Sequence, residues 1–320
     1  MSEGRRVTHR STRPLMGTFV TVTIAHGDAA TAEALIDLAF DAMTAWCAEA
    51  SEWEPEAAVS RLSGAPVGEP VALPDPLFRL LLLAQRVWHD SAGAFDPSWL
   101  PLKALWPIRG QSEPPAPDAV AAALAEVGLD ALHLREGEPA TAVKRRAGLR
   151  LGLGAIAKGA AVDLACEALE AAGATCFLVD AGGDIRGRDE GAGWVVGVQN
   201  GQGLHLHSRL HLQRGSIATS GSYEAGFEHE GQRYHHLLDP RSGYPVPWLG
   251  GCTVIAPSCA LADALATACF VLGPDAGRAL LTRYPQTAAL WLEADGTETA
   301  SDGWPSSNDP VALPPATGFC

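Results

Sequence analysis

The second half of the chain most constrains the fold. From residue 149 onward, short apolar runs separated by glycine turns read as strands at residues 149–153, 176–179, 194–198, 205–212, 233–238, 252–256 and 288–293. Helical periodicity appears only at residues 160–171, 259–272 and 274–284. Several consecutive strands mixed with helices point to an α+β fold rather than a doubly wound parallel sheet. The chain has 320 residues, of which 34 are Gly and 23 Pro. That is long enough to bury a large core without disulfides or metals.

In the first half, residues 15–24 alternate Thr with apolar side chains and read as a strand. Leu35, Ile36, Ala39, Phe40, Met43 and Trp46 share one face of a helix over residues 29–49. Asp75 followed by Pro76 reads as an N-cap and first-turn proline, opening a helix that stops before Gly93. The stretch from 107 to 118 is polar and proline-rich, and a short helix follows at 119–127. The expected organisation is a flexible segment at 1–14, one domain over 15–300 with an internal excursion near 107–147, and a tail at 301–320.

The formal charge of −14 excludes a basic surface for nucleic acid or anionic membranes. No uninterrupted apolar run reaches the roughly 18 residues of a transmembrane helix. Arg5, Arg6, His9, Arg10 and Arg13 are not followed by the apolar run of a secretory signal, so a cytoplasmic protein is expected. The seven cysteines include no Cys-x-x-Cys pair, and several sit among apolar neighbours, which reads as buried free thiols in a reducing compartment. His205, His207 and His211 alternate with Leu206, Leu210 and Leu212, the pattern of a solvated strand face.

Chemistry concentrates in four places. Gly152-Leu-Gly-Ala-Ile-Ala-Lys158-Gly159 stands before an alanine-rich helix, where bare backbone, free helix amides and an ammonium can cradle an anion. It is neither a Walker loop nor Gly-x-Gly-x-x-Gly. Asp180-Ala-Gly-Gly-Asp184 ends a strand and lets a ligand approach the backbone. Asp263 and Thr267 lie four apart on a helix, so a carboxylate and a hydroxyl, both hard oxygen ligands suited to Mg²⁺, project from one face. His236 and Asp239 stand three apart before a Pro-Arg-Ser-Gly turn, a spacing that can hold an imidazole as general base. Thr219-Ser-Gly221 ends another strand, and no Gly-x-Ser-x-Gly elbow accompanies it.

Met16-Gly-Thr18, Gly93-Ala-Phe-Asp-Pro97, Gly154-Ala-Ile-Ala-Lys-Gly159 with Asp163, Ala181-Gly-Gly-Asp184, Thr219-Ser-Gly221, His236-Leu-Leu-Asp-Pro-Arg-Ser-Gly243 and Ala262-Asp-Ala-Leu-Ala-Thr267 occur in this order. Together they resemble the FAD:protein FMN transferase (ApbE) family, from residue 16 to about 290. The resemblance implies mixed, largely antiparallel sheets flanked by helices, with the ligand cleft between two lobes. It also implies an enzyme that cleaves FAD with Mg²⁺, attaches FMN through a phosphoester to a Thr or Ser of a target flavoprotein, and releases AMP. By similarity Asp263, Thr267 and the carbonyl of Ala155 would bind Mg²⁺. Met16, Ala94, Phe95, Asp96, Lys158 and Leu237 would contact FAD, as would Trp53, which stands where the family often has Tyr. His236 and Asp239 would be catalytic, His236 deprotonating the acceptor. Gly152 departs from the family's usual Asp, Ser222 from a frequent Asp, and Ser242 from Thr. The alternatives are a Mg²⁺-dependent FAD pyrophosphatase yielding FMN and AMP, and a non-catalytic flavin-binding protein.

Overall fold

In the computed structural model, which describes residues 7–108, 110–223, 226–306 and 309–315, the chain opens with an antiparallel hairpin of Val7–Leu15 and Thr18–His26. Residues 7–14 are therefore strand rather than flexible segment. Their Thr and Arg content, which reads as a solvated tail, belongs to the edge of a sheet, where polar side chains discourage further pairing. Met16 and Gly17 form the two-residue loop, both with positive φ (53° and 73°), as the right-handed twist of a tight hairpin demands.

The main sheet runs in the order Val7–Leu15, Thr18–His26, Phe177–Ala181, Asp184–Arg188, Leu206–Gly221, Gly250–Ala256, Ala288–Glu293, Glu298–Ala300, antiparallel throughout. Trp194–Gln199 pairs antiparallel, and Pro310–Ala312 parallel, with Leu206–Gly221. The segment 301–320 is thus partly built into the sheet. Val20, Val22, Phe177, Val179, Ala218, Cys252, Val254 and Trp291 point to one face, packed against the helices Ala29–Ala50, Asp75–Asp90, Ala157–Ala171 and Cys259–Leu281. Ile185, Val196, Leu210, Leu212, Ile217, Ile255 and Leu290 form a second core on the other face.

The two helices read at 259–272 and 274–284 are both present within Cys259–Leu281, separated at Gly273, whose φ of 73° and ψ of 178° are not helical. Among the described residues Cys259–Leu281 is the only stretch that by length and composition could cross a membrane, but it is broken at Gly273 and most of its side chains are buried in the core. The strand read at 205–212 extends to Gly221 because Arg209, Gln213, Arg214 and Gly215 break its apolar alternation without breaking its ladder. Residues 149–153 belong to no ladder and make only one bridge, Trp99 with Arg150. Their apolar side chains are buried under the helices, so burial rather than pairing explains their composition. Asp75 is in the first helical turn, not the cap, and pairs with Arg79 at 3.0 Å. Residues 107–147 contain the helix Pro117–Leu124 and two strands that join Val71–Ala72 in a small antiparallel sheet. A third apolar cluster of Leu102, Trp106, Ile108, Val120 and Leu238 ties that region to the turn after His236. Of the six described cysteines five are buried.

Candidate functional site

The helix carrying Asp263 and Thr267 is fixed from its first turn. Asp163, fully buried on the neighbouring helix, accepts the N–H groups of Cys259 and Ala260, both at 2.9 Å. Its Oδ1 also accepts from Arg186 at 2.7 Å. A carboxylate at a helix N-terminus satisfies amides that have no partner within the helix and opposes the positive end of its dipole. The two helices touch at Gly159, where a Cβ would lie 2.4 Å from the carbonyl oxygen of Cys259. Only glycine permits that approach.

This contact brings three charges together. The Lys158 ammonium hydrogen-bonds to Asp184 and lies 3.9 Å from Asp263, whose Oδ2 accepts the Gly159 N–H at 3.2 Å. Burial, and then the neighbouring Asp184, push the Asp263 carboxyl up to about 7. Burial likewise raises Asp184 against the pull of Lys158. Burial opposes the charge on Lys158, but Asp184 and Asp263 outweigh it and hold the ammonium above its ordinary range. One turn on from Asp263, the Thr267 hydroxyl pairs with Ser220 Oγ at 3.0 Å. Ala155 lies in the loop just before Lys158 and packs against the core.

One cavity reaches this cluster at Lys158, and a second adjoins the first. The smaller, about 620 Å³, is lined by Met16, Gly17, Trp46, Gly154, Ala157 and Lys158. Met16, strained at positive φ, therefore stands on a cavity wall, where such conformations cluster. The larger, about 1140 Å³, is lined by Leu100, Trp106, Ile108, Arg150 and His236. Glu52, Trp53 and Lys103 line both. Trp53 is 76% exposed, an unusual state for an indole, with the Lys103 ammonium 5.0 Å from its ring centre.

His236 follows His235, a buried imidazole whose geometry sets the local backbone. His235 Nε2 donates to the Val246 carbonyl at 2.8 Å and Nδ1 accepts the Leu237 N–H at 3.2 Å. Leu237 is thereby held half-buried against the main core. Asp239 has both carboxylate oxygens engaged by Arg241, each at 2.8 Å, and its carbonyl accepts the Gly243 N–H. Trp106 Nε1 donates to the Gly243 carbonyl at 2.9 Å. The structure thus gives Asp239 the work of locking the turn beyond His236.

Ala94, Phe95 and Asp96 line neither cavity. Ala94 and Phe95 are core residues, and Asp96 accepts from the Ser98 N–H (2.8 Å), the Ser98 hydroxyl (2.6 Å) and the Leu129 N–H (3.3 Å). Burial pushes its carboxyl up despite those bonds. Three contributors lay beyond sequence reasoning: Asp184 as partner of Lys158, Ser220 as partner of Thr267, and Glu52. Asp184 stood within a motif already visible, but Glu52 carried no signal at all.

An antiparallel sheet backed by helices, with a buried Lys-Asp-Asp cluster that reaches one of two adjoining cavities, defines an α+β protein with a bipartite cleft. Residues 16–291 match the ApbE family. The chain is 35% identical over 267 residues to the FAD:protein FMN transferase of Treponema pallidum, covering 78% of this chain and 74% of that one. It is 32% identical over 258 residues to the enzyme of the same name from Haemophilus influenzae, covering 77% and 74%. The apo crystal structure of the Pseudomonas stutzeri flavinyl transferase ApbE superposes with a TM-score of 0.82 at 31% identity, over 94% of this chain and 97% of that one. The ApbE protein of Thermotoga maritima superposes equally well, 0.82 at 27% identity, over 92% and 97%. The chain belongs to the ApbE family.

Proposed function

We propose that the protein is an FAD:protein FMN transferase that uses Mg²⁺ and releases AMP. The observation that carries this reading is the Lys158-Asp184-Asp263 cluster, whose Lys158 lines the smaller cavity. Two nearly buried carboxylates face one ammonium, so the cluster becomes net negative once both ionise, which a dry site tolerates poorly. A divalent cation beside Asp263 and Thr267 would cancel it. Among the described residues no group of three His, Cys, Asp or Glu side chains forms a metal cluster. The donor set is instead one carboxylate, one hydroxyl and the Ala155 carbonyl, leaving the remaining positions to water and substrate phosphate, the habit of Mg²⁺. When bound, the cation neutralises charge on the pyrophosphate oxygens.

The chain's own groups supply the rest. Lys158 offers a positive charge to the pyrophosphate from the cavity wall. Trp53 presents a π-face on which a flavin or adenine ring can stack. The acceptor Thr or Ser oxygen attacks the phosphorus of the FMN half, its proton passing to His236. The bond from that phosphorus to the bridging oxygen breaks, and AMP leaves with the electron pair.

The test is intact-mass analysis after incubation with FAD, Mg²⁺ and an acceptor flavoprotein. An FMN adduct on the acceptor with stoichiometric AMP is expected, and Asp263→Ala should lose it. Free FMN and AMP without an adduct would make the protein a pyrophosphatase. Transfer at the parent rate by Asp263→Ala would remove the metal assignment.

A further inference from the structure

We infer that Glu52 binds the substrate, orienting FAD at the wall between the two cavities. Its side chain is only 11% exposed, and Oε1 accepts from Lys103 Nζ at 2.6 Å. Oε2 has no hydrogen-bond partner among the described residues. A nearly buried carboxylate ordinarily has its acceptor capacity filled. Here a free acceptor oxygen stands on a wall common to both chambers. Lys103 is held in place by Trp53 and Trp99, with ring centres at 5.0 and 5.4 Å, so its ammonium stays on the Oε1 side.

Gly152 provides the seat. Its N–H donates to the Pro97 carbonyl at 2.7 Å and its carbonyl accepts from Trp99 Nε1 at 3.1 Å, so its backbone is pinned on both sides. A Cβ at 152 would lie 3.1 Å from Glu52 Oε2 and 2.6 Å from Leu100 Cδ2. The bare face of this glycine is the space the carboxylate fills. The chemistry that Oε2 accepts is a hydroxyl or N–H donor, which both halves of FAD carry. It repels phosphate, so the pyrophosphate is turned toward Lys158 on the smaller cavity.

This inference rests on the FAD reading above. Its test is FAD affinity of the whole chain with Mg²⁺, measured by flavin fluorescence, with FMN read the same way and AMP read by its displacement of FAD as the two half-ligands. In Glu52→Gln the amide oxygen must face Lys103, so an NH₂ donor meets the ligand's donor. FAD should bind about tenfold more weakly. The loss should fall on one half-ligand, which identifies the half that Oε2 touches. Adding Gly152→Asp to Glu52→Gln should recover most of the affinity, because the new carboxylate starts from the same space. A thermal scan verifies folding of both variants. Unchanged FAD affinity in Glu52→Gln, equal loss on both half-ligands, or a folded double variant no better than the single one would overturn the inference. A parent protein that binds no FAD overturns the functional reading instead.

Discussion

Asp163→Ala tests whether the metal-site helix is positioned by its first turn. The substitution removes the 2.7 Å partner of Arg186, leaving that nearly buried guanidinium, among the described residues, the Glu170 carboxylate at 3.5 Å. It also strips the acceptors from the Cys259 and Ala260 N–H groups. Breaking a buried pair from one side costs about 3–5 kcal/mol. With an unfolding entropy of about 2 cal/mol/K per residue, 320 residues give roughly 0.7 kcal/mol/K. The melting temperature should therefore fall by about 4–7 °C, measured by differential scanning calorimetry. The companion variant Asp163→Leu with Arg186→Met removes both charges, an exchange that is often neutral for stability. It should regain most of the melting temperature. FMN transfer should remain depressed, because the helix amides are still uncapped and Asp263 is no longer held. A single-variant loss below about 1 °C, or a double variant that restores transfer along with stability, refutes this account of how the site is built.

Gly159→Ala should lower the melting temperature by several degrees and weaken Mg²⁺-dependent transfer, since its Cβ would meet the Cys259 backbone at 2.4 Å and push the two helices apart. A variant with unchanged calorimetry would show that the helices separate freely. Burial, and then the neighbouring His236, lower His235 from 6.5 to about 4. Its Nδ1 must stay unprotonated to accept the Leu237 N–H. Stability from this group is complete above pH 6.5 and is lost as pH falls toward 4, by about 3 kcal/mol at the limit. Urea midpoints measured from pH 7 to 4 should fall less steeply in His235→Gln than in the parent. Equal slopes would remove His235 from the account.

The sequence showed the elements whose periodicity is unbroken. The buried face of Ala29–Ala50 and the strand Ala288–Glu293 are plain in the order of residues, because local spacing and burial there agree. Residues 149–153 misled because an apolar run records burial and does not say what pairs with it. The edge strand Val7–Leu15 was invisible because one wet face and several arginines look like a tail. Within the site, motif residues such as Lys158 and Asp263 were legible as chemistry. Their meeting was not, since Lys158 and Asp263 are 105 positions apart and join only where two helices touch at a glycine. Glu52 was the least visible of all. Its role follows from an empty volume at residue 152, and no pattern in sequence encodes an emptiness on another segment.

The long strand Leu206–Gly221 has a further consequence for how this chain can vary. Residues 216–221 pair one for one with 251–256. Ser220, beside Cys252, therefore faces the helices and meets Thr267, while Thr219 points the other way to Thr253. Inserting or deleting one residue inside that ladder would exchange the two faces, sending the Ser220 hydroxyl into the wrong core and leaving Thr219 or Gly221 opposite Thr267. The turn at residues 200–205, outside the ladder, imposes no such parity. Differences in length among descendants of this chain should accumulate there, and the last six residues of the strand should keep their count while their identities drift.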